Sequence, residues 1–418
     1  MRRLLVVAYY MPPLGLSGVM RVTKLCKFLP EAGWQPLILT VKPVAYYHYD
    51  PRLLNDLGAS RIYRTESADP NRLFNLVRSK AKKLTPALAQ GLGRGPRLLN
   101  LARSKTKRLT PALARGLGAG PRLLNHVLFP DSKIGWLPFG SVAGRHIIDR
   151  EKPAAIFASA PPFTALLLGV RLKAHAHVPL AADFRDPWPT GFAPPPAHQR
   201  AALRRLRRYL VDHSDLVLGV NSGTARAVGP RCEVLDNGFD PTDFEVEPTK
   251  PEGFGVVHVG NLWRNQAEVA SLIAALRTRP EAKLYLAGRG DGETRRRYEH
   301  DPQVRLLGTL PHGEACALMK GADALLYIGK PKQPVGIKLY EYLGARRPIL
   351  VWGEGSDEAA RLVTDAEAGV ACGHDGAKLA EALDEMKRDP ARFARTSRDR
   401  FNRRCQARWL ADRLESLI

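Results

Sequence analysis

The hydrophobic positions of this chain fall into short, nearly unbroken runs separated by stretches of helical spacing. Residues 3–9, 34–40, 154–158, 179–182, 216–220 and 232–235 form one series, and 255–259, 283–287, 304–307, 324–327 and 349–350 form a second. Runs of this kind lack the polar alternation of a half-exposed strand and predict parallel strands buried on both faces. After the first run, Val22, Leu25, Cys26 and Leu29 recur with helical spacing, and strand and helix signals alternate from there on. Such alternation predicts α/β units with parallel sheets. A chain of 418 residues is too long for one ordinary core and suits two domains of roughly 150–200 residues plus extras.

In sheets of this type, ligands meet the carboxyl ends of the strands, and two polar clusters fall there. The first is Asp183-Phe184-Arg185-Asp186 at the end of an apolar strand. A structural salt bridge and a ligand-facing site are both open readings of it. The second is the stretch from Pro334 to Leu350, which predicts a loop, a helix of about two turns and a buried strand. Gly336 allows a close backbone approach, and the free N–H groups of residues 335–338 open the helix toward an anion, with Lys338 adding charge. Glu341 lies three residues on, on the same face, where a carboxylate can accept two hydrogen bonds from a ribose diol. A diphosphate beside a ribose is a nucleotide. An ordinary helix with a solvated Lys–Glu pair is the competing reading. Arg264 is the only base in the 260–264 loop, where it grips a phosphate or stands in solvent.

Composition changes this picture in one place. Hydrophobic content of 44% and charged content of 25% are those of a soluble globular protein. The five cysteines are scattered, with no CxxC spacing, and read as free thiols of a reducing compartment. The apolar start is stopped by Pro12-Pro13, so it reads as a strand and not a signal peptide, and no stretch is long enough to span a bilayer. The net charge of +23 is uneven. Between Asn71 and Pro130 there are 13 Lys or Arg and no acid, so the rest of the chain carries 51 bases against 41 acids, or +10. Residues 72–96 and 97–121 are a tandem repeat matching at 19 of 25 positions. With leucines and bases in its helical half, the repeat at 71–126 reads either as an anchor to an anionic membrane surface or as an insertion without a role.

Several of these segments together resemble retaining glycosyltransferases of family 4. They are Pro12 to Arg21 with Gly15 and Gly18, Ala182 to Trp188, Asp236-Asn237-Gly238-Phe239-Asp240, and Val335 to Leu350. The resemblance implies an α/β protein of the GT-B fold, with two facing Rossmann-like domains and a C-terminal helix crossing back to the first. It implies an N-terminal acceptor-side domain at 1–240 carrying the 71–126 insertion, a nucleotide-sugar-binding domain at 241–400, and a tail helix at 401–418. It assigns Glu341 to the ribose, Gly336, Ile337, Lys338 and Arg264 to the diphosphate, and Gly15 and Gly18 to the loop that faces the donor. Gly308 to His312 resembles the loop that cups the nucleobase. Asp186 and Arg185, with Lys338, form the expected catalytic set. The chain departs from the family pattern at Gln333, where a glutamate is usual, at Asn261, and where a catalytic-type histidine often stands.

The resulting expectation is a retaining transferase that moves a sugar from a nucleoside diphosphate to a glycan or lipid-linked acceptor in cell-surface polysaccharide or glycoconjugate assembly. No DxD follows a strand, so neither a metal nor a cofactor is expected; the nucleotide-sugar is a co-substrate. Its expected place is the cytoplasm or the inner face of the cell membrane. Two rivals remain open: a scaffold of the same fold without catalysis, and a nucleic-acid-binding protein. Phe74 is the only aromatic residue of the basic repeat, which argues against stacking on bases.

Overall fold

The computed structural model describes residues 1–15, 17–44, 49–58, 60–70, 72, 128–186, 188, 197–260, 266–290, 292–329, 335–353, 357–394 and 396–418. The basic repeat (Arg72 apart), Arg264 and Gln333 lie outside them. The chain forms two compact units, Met1–Asp236 with Ala407–Ile418, and Asn237–Gln406.

The first unit is built on strands β1 (Arg2–Val7), β2 (Trp34–Val41), β3 (Arg61–Thr65), β4 (Ala155–Ala160), β5 (Leu180–Phe184), β6 (Leu216–Gly219) and β7 (Cys232–Val234). They form one sheet in the order β3-β2-β1-β4-β5-β6-β7, every pairing parallel. Its helices are α1 (Ser17–Phe28), α2 (Leu137–Glu151), α3 (Phe163–Ala176), α4 (Ala197–Asp212) and α5 (Ser222–Val228). The second unit has β8 (Phe254–Val259), β9 (Ala282–Ala287), β10 (Val304–Gly308), β11 (Ala324–Ile328), β12 (Ile349–Trp352) and β13 (Gly369–Gly373). These pair in the order β10-β9-β8-β11-β12-β13, again all parallel. Helices α6 (Gln266–Leu276), α7 (Gly292–Tyr298), α8 (His312–Gly321), α9 (Ile337–Ala345), α10 (Asp357–Asp365) and α11 (Gly376–Arg388) accompany it, and α12 (Arg403–Glu415) ends the chain.

Parallel pairing explains the unbroken apolar runs, because each strand buries side chains toward helices on both sides. In the first unit, Leu5, Leu37, Ile156 and Leu180 meet Ile147, Leu168 and Leu203 of α2, α3 and α4. Their neighbours Leu4, Ile38, Phe157 and Ala181 meet Val22 and Leu25 of α1 and Leu410 and Leu414 of α12. Helices α2 and α3 approach closely at two glycines: a Cβ on Gly140 would lie 2.4 Å from Leu168 Cδ2, and one on Gly144 2.6 Å from Leu172 Cδ1. That contact fixes which side of α2 faces outward. Asp69 accepts hydrogen bonds from Tyr9 Oη (2.9 Å) and Lys133 Nζ (2.6 Å), which clamps the chain on either side of residues 73–127.

In the second unit, Val257, Val259 and Leu325 pack against Leu339, Tyr342 and Leu343 of α9. Gly344 admits Phe239 and Phe244 so closely that a Cβ there would meet ring carbons at 2.7 and 2.5 Å. Strands β8 and β11 are neighbours although not consecutive, so the strand order reverses between them. The same reversal occurs between β1 and β4 in the first unit. At such a reversal the loops diverge and leave a crevice at the carboxyl edge.

The hydroxyl of Tyr342 on α9 accepts from the Val259 N–H at 2.7 Å and donates to the Val259 carbonyl at 3.3 Å, in full burial. It joins α9 to the end of β8. Tyr342→Phe leaves that N–H buried without an acceptor, and we expect the second unit to lose about 1–3 kcal/mol of stability, read from its unfolding transition in urea.

Candidate functional site

Helix α9 starts where β11 has delivered the chain to the crevice of the second unit. Its N-cap is Gly336, which has no side chain to cap the helix. The Gly336 N–H donates to Tyr327 Oη at 3.0 Å, and Leu339 N–H turns back to the Gly336 carbonyl at 3.1 Å. The N–H groups of Ile337 and Lys338 belong to the first turn, which lacks intrahelical acceptors. Gly336 is exposed and Ile337 half-buried, so this end of the dipole is open. Lys338 Nζ lies 2.5 Å from Glu341 Oε2, with the lysine side chain 35% and the glutamate 13% exposed. The four sequence-chosen residues of this helix are therefore together at its open end: a positive dipole, one ammonium and one carboxylate within a single turn and a half.

The field of Lys338 reaches the end of β8. His258 is buried, and its imidazole is pushed down to about 4 by desolvation, against a hydrogen bond between Nδ1 and the Leu326 carbonyl (3.0 Å) and with the Lys338 charge adding to the fall. An open cavity of about 670 Å³ lies at the ends of β9 and β10, lined by Gly288, Arg289, Thr294, Arg305, Gly308 and Thr309. The loop at Gly308 thus borders a space within the size range of small-molecule sites. Arg264 has no described position. His312, which opens α8, has its proton affinity raised to about 10, first by its hydrogen bond to Asp243.

At the carboxyl edge of the first unit, the residues of the 183–186 cluster separate by role. Asp183 is fully buried and takes Nε and Nη2 of Arg21, the shortest contact being 2.7 Å, together with Ser159 Oγ at 2.7 Å. Arg21 also donates to the Asp236 carbonyl at 2.8 Å. This node ties α1, β4, β5 and the chain after β7 into one corner. Arg185 spends its guanidinium on carbonyls: Nε on Ala160 at 3.1 Å, Nη2 on Pro161 and Nη1 on Gly18. It thereby joins the turn after β4 to the start of α1, where Gly18 lies. Burial lowers its proton affinity, with Asp183 and Asp186 opposing. Asp186 is half-buried, and burial raises its carboxyl above the usual range, against Arg185 and with Asp183 adding. Gly15 follows the bridge between Leu14 and Tyr49 in the loop before α1.

Asp186 and Arg185 stand out in the sequence, whereas Arg21, Asp183, Ser159, Tyr327 and Tyr342 take their roles only from the fold. Arg21 and Asp183 stand in the quoted segments, and a basic residue early in α1 opposite an acid ending an inner strand is a usable signal. Among the described residues no group of three or more His, Cys, Asp or Glu side chains could hold a metal ion, and no helix is long and apolar enough to cross a membrane.

Residues 253–389 match the family described as glycosyl transferases group 1. No curated protein sequence matches the chain. Among solved structures, the chain is similar to sucrose-phosphate synthase from Thermosynechococcus elongatus, at 15% identity over 100% of this chain and 99% of that one, with a TM-score of 0.59. It is similar to HepE from Anabaena in complex with UDP, at 15% identity over 100% of both chains and a TM-score of 0.58. A glycosyltransferase from Rickettsia africae matches at 11% identity over 100% of this chain and 98% of that one, with a TM-score of 0.62. The protein is of the GT-B fold class, two Rossmann-like units in one chain. The match to glycosyl transferases group 1 falls within its second unit.

Asp186 generates a pH prediction. Its folded-state pKa is raised, so ionising it costs more in the folded than in the unfolded protein. Stability is therefore lost as pH rises from the unfolded value of about 3.9 through the folded one, and the penalty persists above it. Asp186→Asn removes that penalty. We expect the variant to be more stable than the parent at pH 7 and the difference to shrink toward pH 4, as followed by denaturant midpoints across that range.

Proposed function

We propose that the protein is a retaining glycosyltransferase that moves a sugar from a nucleoside diphosphate to a glycan or lipid-linked acceptor in cell-surface polysaccharide or glycoconjugate assembly. The observation that carries this reading is the uncapped start of α9, with Lys338 and Glu341 beside it, at the strand-order reversal of a glycosyl transferases group 1 domain. HepE, a neighbour in fold, has been solved in complex with UDP and with UDP-glucose, which supports a nucleotide-sugar as the donor.

In this reading the diphosphate sits on the N–H groups of Ile337 and Lys338. Lys338 and Arg264 add charge, and Gly336 allows close approach. Glu341 exchanges its lysine for the two ribose hydroxyls, and the Gly308 loop borders the base. The reaction breaks the bond from the anomeric carbon to the diphosphate oxygen and forms one to the acceptor oxygen. In front-side replacement the departing oxygen is the base nearest the acceptor hydroxyl and takes its proton. Asp186 holds that hydroxyl, and Arg185 keeps the surrounding turns in place. Negative charge grows on the diphosphate as the bond breaks, and fixed donors there act without reorganising; one such donor is worth roughly 3 kcal/mol in the transition state. Neither a metal nor a cofactor has a role in this scheme.

Glu341→Ala tests the donor assignment. Loss of two charge-assisted hydrogen bonds should weaken nucleoside diphosphate binding by roughly 2–3 kcal/mol, about 30- to 150-fold, in an isothermal titration with a panel of bases. Unchanged affinity in a folded variant removes Glu341 from the ribose. Lys338→Ala should lower turnover while leaving the affinity for the free nucleoside, which has no phosphates, as it was.

The basic repeat at 71–126 is proposed to hold the enzyme on an anionic membrane surface, where lipid-linked acceptors reside. Each engaged base is worth about 1 kcal/mol near such a surface, so five of the 13 give roughly 5 kcal/mol. Deleting the repeat should lower the affinity for anionic vesicles at low salt and leave nucleotide affinity unchanged. Equal vesicle binding by the deletion would make the repeat a passive insertion.

A further inference from the structure

Apart from the repeat, the first unit presents a surface with its own bias of charge. Helices α2, α3 and α4 cover one face of its sheet. Helix α4 has no acid from Ala197 through Val211, while Arg200, Arg204, Arg205 and Arg208 are exposed along it. Arg171 of α3 and Arg145 of α2 are exposed beside them in the same layer. The exposed acids of these three helices are Asp149 and Asp212, and Asp149 is engaged by His175 Nε2 at 2.9 Å. On α2, the close glycine contacts with α3 turn the opposite side outward. There Phe139 is 41% and Val142 66% exposed, three residues apart on one helical face. Phe129, 38% exposed, stands just before α2, where the chain returns from the 13-base segment.

Exposed arginines with apolar side chains among them suit a phase that offers anions above hydrocarbon. A polynucleotide offers the anions and base faces. The one exposed aromatic ring on α4, Tyr209, lies on His213, with ring centroids 4.1 Å apart, and leaves no stacking platform there. We propose that the outer face of the α2–α3–α4 layer docks on an anionic lipid bilayer, the α4 arginines meeting headgroups and Phe139 and Val142 entering the interface. This deepens the membrane part of the proposed function but rests on residues outside the repeat. The described residues on either side of the repeat are joined by the Asp69–Lys133 clamp just before α2.

The test uses the full chain and vesicles of neutral lipid with or without about one-third anionic lipid. Arg204→Ala, Arg205→Ala and Arg208→Ala together should lower partition into the anionic vesicles on the order of a hundredfold at low salt. Phe139→Ser with Val142→Ser should remove the binding that remains at high salt, since apolar insertion is not screened. These side chains are exposed, so both variants should fold, and unchanged nucleoside diphosphate affinity checks this independently of the transfer reaction. Parental vesicle binding by both variants overturns the proposal, even where deletion of the repeat abolishes it. Tighter binding of the parent to a DNA duplex than to anionic vesicles, lost in the arginine variant, overturns it in favour of a nucleic acid.

Discussion

Parallel pairing is the constraint from which the rest of this structure follows. Two neighbouring strands that run the same way need a crossover, the crossover is a helix, and the helices cover both faces of the sheet. Side chains within strands are then committed to packing: Leu4, Leu5, Val6 and Val7 in β1 are all fully buried. Polar chemistry is displaced to the carboxyl ends, and both units hold residues with unusual environments there. Asp183, Arg185 and Asp186 follow β5 or end it, and His258 nearly ends β8. Gly336 begins the helix after β11.

The two edges use this position differently. In the first unit the polar groups are bonded mostly to one another and to carbonyls. Arg21, Asp183 and Ser159 form a closed node, and Arg185 is held by three carbonyls. Breaking such a buried pair from one side leaves a charge without compensation, which costs roughly 3–5 kcal/mol. Asp186 differs from this closed node: it is only half-buried, and burial raises its proton affinity. In the second unit the groups are open: among the described residues, the helix start has no side-chain cap and the lysine pairs with its own helix neighbour.

This difference also marks what was legible in the sequence. The strand runs, their parallel character and the helix opening at Gly336 could be read directly, because each is a local pattern. Lys338 and Glu341 are three residues apart, and helical geometry alone brings them together. Arg21 and Asp183 are separated by 162 positions and Tyr342 and Val259 by 83, and no local pattern encodes such pairs. Arg185 was legible as a polar residue at a strand end, yet only the fold shows that its donors are occupied by Ala160, Pro161 and Gly18. Arg264 is legible as the one base of its loop, and it lies outside the described residues. In short, a local period gives elements and their ends, while partners across the sheet are decided by strand order.

The Lys338–Glu341 pair balances charge at the open start of α9. An uncompensated ammonium and carboxylate at the rim of a crevice would each repel a neighbour or demand solvent. Pairing at 2.5 Å lets each neutralise the other at small cost, since the lysine remains one-third exposed. In the proposed donor complex, a diphosphate with a ribose would offer the same two groups what they take from each other here: anionic oxygens for the ammonium and two hydroxyl donors for the carboxylate. Exchange in that complex would replace one ion pair by several charge-assisted hydrogen bonds, and the helix dipole, unused in the pair, would be engaged by the diphosphate. The preference of the proposed complex for an anion over solvent would come chiefly from the fixed backbone N–H groups of Ile337 and Lys338, with the side chains selecting among anions.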